Sequence, residues 1–223
     1  MAESPRASRP MCDRYGRPMG LDVDALLTPP SPVAARALEV ARAWCTPALV
    51  NHCLRSWAWA SLLATAESLD PDRELLFVAT MLHDLGVTQS FDAHTVPFED
   101  AGGAVGSVFA VGAGWSGERA RRVGEVIERH MWPSVDPVLD LEGHLLEVAT
   151  SLDVSGAGFP RWSPADLRAV TAAVPRLDFS GSFHALVHDQ AVRKPGSAAA
   201  RLDGSGNVLA GDDRWMDFLR DVV

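Results

Sequence analysis

The stretch Leu75–Gly86, LLFVATMLHDLG, places a His83–Asp84 pair at the end of an otherwise apolar run. Such a run reads as a buried helix, and a carboxylate hidden there is costly unless something positive neutralises it. A divalent metal is the simplest partner, because neutral imidazole and carboxylate are both ready ligands. His52, in VNHCLR, and Asp153, in ATSLDV, lie in two further apolar, helix-like segments. The four residues are distant in sequence, so only tertiary packing can bring them together. One buried histidine is usually a satisfied core residue. Four ligand-type side chains, each inside an apolar helix, suggest a metal clamp between facing helices.

Helix signals dominate the rest of the chain. Ser31-Pro32 and Thr46-Pro47 each pair an N-cap with proline at the first helical position, opening helices to about residues 45 and 68. Asp70-Pro71 opens a third, expected to run to Asp84 and stop at Gly86 as a C-terminal glycine. A loop over 87–97 precedes helices expected near 98–112, 116–130, 137–154, 163–173 and 179–192. Gly204–Asn207 reads as a turn, supporting a short hairpin or a plain loop, before a short helix over 213–222. No sustained period-two alternation argues for strands. The expectation is one all-α domain over 31–204, a flexible lead-in over 1–30, and a tail over 205–223.

A net charge of −9 argues against a nucleic-acid-binding face, which needs clustered cations. Cys12, Cys45 and Cys53 show no C-x-x-C spacing and suit a reducing compartment; Cys53 reads as core packing. The N-terminal MAESPRASRP has no signal-peptide apolar stretch, and no window approaches a membrane span. A cytoplasmic protein acting on a small molecule is expected, without nucleic-acid or membrane partners; a homo-oligomer is left open.

His52, His83-Asp84 and Asp153 together resemble the HD-domain superfamily of metal-dependent helical enzymes. Asn51-His52-x-x-Arg55, His83-Asp84-Leu85-Gly86, Phe98-Glu99, Gly102-Gly103, Arg129-His130 and Ser151–Gly156 look like its cyanamide hydratase branch. Pro175–Phe179 and Arg193-Lys194-Pro195 look like that branch's later helices. The resemblance covers about residues 35–200. It implies an HD-type helical bundle with a mononuclear site, whose metal ligands are His52, His83, Asp84 and Asp153. The expected cofactor is one divalent metal, Zn2+ first, with Fe2+ or Mn2+ as alternatives. Cys53 stands where this branch often has a small hydroxyl residue.

Asn51 and Arg55 are i,i+4 neighbours and can act from one helix face, on the ligands or on a polar substrate. The alternative for Arg55 is a surface residue. His130 is weighed equally as a pocket residue and as a helix C-terminal cation. Glu99 is a candidate at the loop edge, against a plain role in the helix dipole. His94 lies in the loop, His144 reads as surface, and the His184/His188 pair lacks the Glu of His-Glu-x-x-His. Trp57, Trp59 and Trp132 could wall a pocket, with core packing the default. The expected activity is addition of metal-activated water to a small nitrile-type substrate, with Asp84, Asn51, Arg55, Glu99 and His130 as the catalytic set. The rival is metal-dependent hydrolysis of a nucleotide or small phosphate ester, for which Arg55, Arg129 and Lys194 are the cation suppliers.

Overall fold

The computed structural model describes residues 20–221. Cys12 and most of the expected lead-in lie outside the described residues. Eleven α-helices and no strand are found among them: α1 Val23–Leu27, α2 Pro32–Trp44, α3 Pro47–Ala66, α4 Arg73–Leu82, α5 Phe98–Gly112, α6 Gly117–Arg129, α7 Leu141–Ser155, α8 Pro164–Ala173, α9 Phe179–Arg193, α10 Ala198–Ser205 and α11 Asn207–Arg220. The all-α expectation holds, and the architecture is consistent with an HD-like helical bundle.

Capping chemistry explains most starts. The side chains of Ser31, Thr46, Asp72, Ser116 and Asp140 accept a backbone N–H three residues on. Asp72 rather than Asp70 caps α4, and α7 begins after Asp140 because 137–139 form a turn. The central α3 is buried along most of its length, including Trp57 and Trp59, and packs on α4, α7 and α9. Its apolar residues surround the helix, as in a core helix. Cys53 is buried there as a free thiol. No helix in the described residues is long and apolar enough to cross a membrane.

Three expectations about chain organisation need correction. Part of the lead-in is the helix α1, whose Val23, Leu26 and Leu27 pack on the core, while the Trp57 indole donates to the Leu26 carbonyl at 2.8 Å. The turn at 204–207 is neither hairpin nor plain loop: Gly206, at φ +66°, breaks two helices apart. Its successor α11 is longer than the expected 213–222 helix and packs on α7 and α9, with Trp215 buried. Finally, Gly86 lies in a 3₁₀ turn, Leu85–Val87, without a left-handed φ. Its small size matters instead, because a Cβ would collide with the Phe98 carbonyl where α5 crosses.

Candidate metal centre

His52 projects from the second turn of α3, His83 ends α4, Asp84 follows it, and His130 ends α6. All four are buried. The hydrogen bonds behind the rings determine which nitrogens face inward. Asp153 is fully buried, and burial alone would favour its neutral acid. The Arg55 and Arg176 guanidiniums outweigh that cost and hold its pKa well below the usual carboxylate range. An ionised carboxylate only accepts, so His52 Nδ1–H donates to Asp153 Oδ2, at 2.7 Å. His83 Nδ1–H donates to the Thr80 carbonyl at 2.7 Å, and His130 Nδ1–H donates to the Ile127 carbonyl.

In their neutral forms, all three imidazoles therefore present a bare Nε2 lone pair to the interior. His52 Nε2 and His83 Nε2 are 3.1 Å apart, and Asp84 Oδ2 lies 3.5 Å and 3.3 Å from them. Both Asp84 oxygens are buried without a hydrogen-bond partner; His83 Nε2 is near but not in hydrogen-bonding geometry. Two facing lone pairs and an unpaired carboxylate repel one another unless a metal cation, or a proton on His83, sits between them. Bonds of ~2.0–2.2 Å to a tetrahedral ion set ligand atoms about 3.3–3.6 Å apart; both imidazole–carboxylate separations fall in that range, and the imidazole–imidazole one is slightly shorter. The C-terminal ends of α4 and α6 add partial negative charge near this point. Among the described residues, His52, His83 and Asp84 form the one cluster that could hold a metal ion.

Without an ion, His83 and Asp84 favour each other's charged forms. Burial lowers the His52 pKa, despite help from Asp153. Burial also pulls His83 towards neutrality, but the adjacent Asp84 carboxylate outweighs it and raises the pKa. Burial would raise Asp84, and the three surrounding histidines hold it below the usual range instead. His130 is pushed down to about 3 by burial and by His83.

Asp153 is not brought into the expected ligand set. Its Oδ1 accepts from Arg55 Nε at 2.8 Å and Trp59 Nε1 at 3.0 Å, and its Oδ2 accepts from Arg55 Nη2 at 2.7 Å and from His52. With those positions filled, Asp153 orients His52 from behind. Arg55 is fully buried, not a surface residue; its Nη1 also reaches the Val174 and Pro175 carbonyls. Asn51 donates to the Pro175 carbonyl at 2.8 Å and does not line the cavity, so it braces the chain rather than facing substrate. Glu99 is buried with Oε2 unpartnered, but it too lies outside the cavity lining.

Over the centre opens a cavity of about 320 Å³ whose wall includes His52, His83, Asp84, His130, Trp132 and Phe183. No family model matches the chain. Two relatives match it, cyanamide hydratase DDI2 and cyanamide hydratase DDI3 of Saccharomyces cerevisiae. Each is 28% identical over 176 residues, covering 77% of this chain and 78% of the relative. The chain resembles the cyanamide hydratases.

Three further residues shape the centre in roles that sequence alone does not assign. Trp59 shares a helical face with His52 and Arg55, a signal that was present at i, i+3 and i+7. Arg176 donates to the Asp153 carbonyl at 2.9 Å. Phe179 stacks on His52 with ring centres 4.5 Å apart. Trp57 and Trp59 are core, as the default reading of the tryptophans has it, while Trp132 lines the cavity. His144 donates to the Val135 carbonyl, and His184 and His188 face Asp203. The expected loop is held to α9 through Asp92, which accepts from Gln190, Arg193 and Lys194.

Proposed function

We infer that the chain is a metal-dependent hydratase that adds water across the carbon–nitrogen triple bond of a small cyanamide-like substrate. The observation that carries this reading is the set of inward Nε2 lone pairs and the unpartnered Asp84 at a cavity wall. Its similarity to the yeast cyanamide hydratases supports the reaction class. His52, His83 and Asp84 would hold the ion. A divalent cation supplies Lewis acidity, which acidifies water and polarises a nitrile.

The chain's own groups do the rest. Asp153, clamped by Arg55 and Trp59, fixes the His52 tautomer. Thr80 does the same for His83. His130 Nε2 stands 3.9 Å from Asp84 Oδ1. With its Nδ1–H committed to Ile127, neutral His130 is an acceptor for a water proton or for the substrate's amino group, rather than a donor to the nitrile nitrogen. Asp84 Oδ1 is a second acceptor facing the same space. Phe183, Met131 and Trp132 limit water access with apolar surface.

Phosphate-ester hydrolysis has less support. Arg55 is spent on Asp153, Arg129 pairs with Asp140, and Lys194 pairs with Asp92, which leaves Arg201 as the one arginine or lysine on the cavity wall. The test is urea formation from cyanamide by metal-loaded protein, run beside phosphate release from mixed nucleotides. Urea formation that disappears in His83→Ala supports the reading. Phosphate release without urea formation overturns it.

A further inference from the structure

The cavity is larger than cyanamide requires. At about 320 Å³ it falls at the lower end of small-molecule sites, which span roughly 300–1,000 Å³. Part of its wall comes from α10 and the first residue of α11. Ala198, Arg201, Leu202 and Ser205 recur at three- and four-residue steps, so one face of α10 looks onto the cavity. Asp203 faces elsewhere, towards His184 at 3.6 Å and His188 at 3.1 Å. Glu99 senses Arg201 only at longer range, without an ion pair.

Arg201 and Asp84 are the cavity's lining residues that carry a full formal charge at neutral pH. Once a metal balances Asp84, the guanidinium leaves this cavity positive within a chain of net charge −9. Arg201 is exposed at the cavity's solvent edge and makes no side-chain hydrogen bond or ion pair among the described residues, and a free guanidinium is a fork for a carboxylate. One arginine, with no lysine lining the cavity, suits a monoanion better than a phosphate dianion.

We propose that the substrate is a cyanamide whose substituent ends in a carboxylate, bound by Arg201 while its carbon–nitrogen triple bond sits over His52, His83 and Asp84. This rests on the hydratase reading and adds the substrate class. In R–NH–C≡N + H2O → R–NH–CO–NH2, the water oxygen bonds to the nitrile carbon and becomes the carbonyl. Both water hydrogens end on the terminal nitrogen, nothing leaves, and no electrons are exchanged. A carboxylated cyanamide thus becomes an N-carbamoyl amino acid.

The test compares metal-loaded wild type, Arg201→Gln and Arg201→Lys on N-cyanoglycine and its longer homologues. Each is paired with a neutral N-alkyl cyanamide of equal length. Wild type should favour the carboxylate at one length by about tenfold or more in kcat/KM, through KM. Arg201→Gln should lose that preference and Arg201→Lys should keep part of it, with unchanged melting temperatures. Arg36→Gln, an exposed control outside the cavity, should retain it.

Equal rates on charged and neutral partners, or a preference untouched by Arg201→Gln, would overturn the proposal. So would a stronger preference for a phosphonate tail. Calorimetry with the product-type ureido acids, against neutral ureas, reads the same selectivity without turnover. Failure to hydrate any cyanamide would defeat the hydratase reading, while the binding arm would still decide whether Arg201 selects a carboxylate.

Discussion

Asp84 and Asp153 flank the same imidazole, that of His52, and both are almost fully buried. Asp153 is saturated by Arg55, Trp59 and His52. Asp84 has no hydrogen-bond partner at either oxygen. Burying a carboxylate requires compensation, and this protein achieves it differently on the two sides. An internal arginine fork makes Asp153 part of the framework. Asp84 has only histidines around it, in a cluster that could hold a metal ion. The ends of α4 and α6 share a device, since each terminal histidine donates Nδ1–H to the carbonyl three residues back.

The contrast can be broken most forcefully at Asp153. Asp153→Ala strands Arg55 without its fork, and denaturant unfolding should show a loss of about 3–5 kcal/mol. Asp153→Asn, tested by metal titration, should weaken metal affinity by about 10–100-fold through a loosened His52. Asp84→Asn should behave differently: metal-free protein loses less stability than Asp153→Ala does, because no buried arginine is stranded, while the gain in melting temperature on adding metal disappears. A comparable stability loss from both aspartates would erase the distinction.

Gly86→Ala probes whether α5 must approach the turn after Asp84. The collision with the Phe98 carbonyl should cost about 1–3 kcal/mol in denaturant melts and loosen metal binding.

Asp140 is an intermediate case, buried but paired with the part-exposed Arg122 and Arg129. Burial opposes its ionisation, and the two arginines outweigh that and lower its pKa. Its stabilisation is therefore complete above the unfolded value of about 3.9 and is lost as pH falls through the lower folded value. Asp140→Asn, which keeps a side-chain oxygen to cap α7, should cost about 1 kcal/mol at pH 6 through its arginine pairs, and less near pH 3. Urea midpoints at the two pH values check this.

Much of this arrangement was legible in the sequence. The proline-plus-cap pairs located α2 and α3, and the apolar run before His83 located α4. His52, His83 and Asp84 stood out because polar ligand types occupied buried helical positions. The role of Asp153 was not legible. Helical periodicity says that a side chain faces the core, but not which neighbour fills its lone pairs; that depended on Arg55 arriving from another helix. Asn51 was misplaced for the same reason, since its partner, the Pro175 carbonyl, is distant in sequence. Helix α10 was hidden by its small residues and the Gly204–Gly206 punctuation, so the Arg201 wall could not be read from pattern alone. Gly86 was identified as important for the wrong reason, because close approach and left-handed backbone use the same residue.

The central claim is that the chain brings His52, His83 and Asp84 together to bind one cation. Elemental analysis of protein purified without added metal, beside Asp84→Asn prepared identically, tests it most directly. About one equivalent of a divalent metal in the wild type, and little in the variant, is the predicted result. Wild-type protein that is metal-free and takes up no zinc, iron or manganese on titration would contradict it.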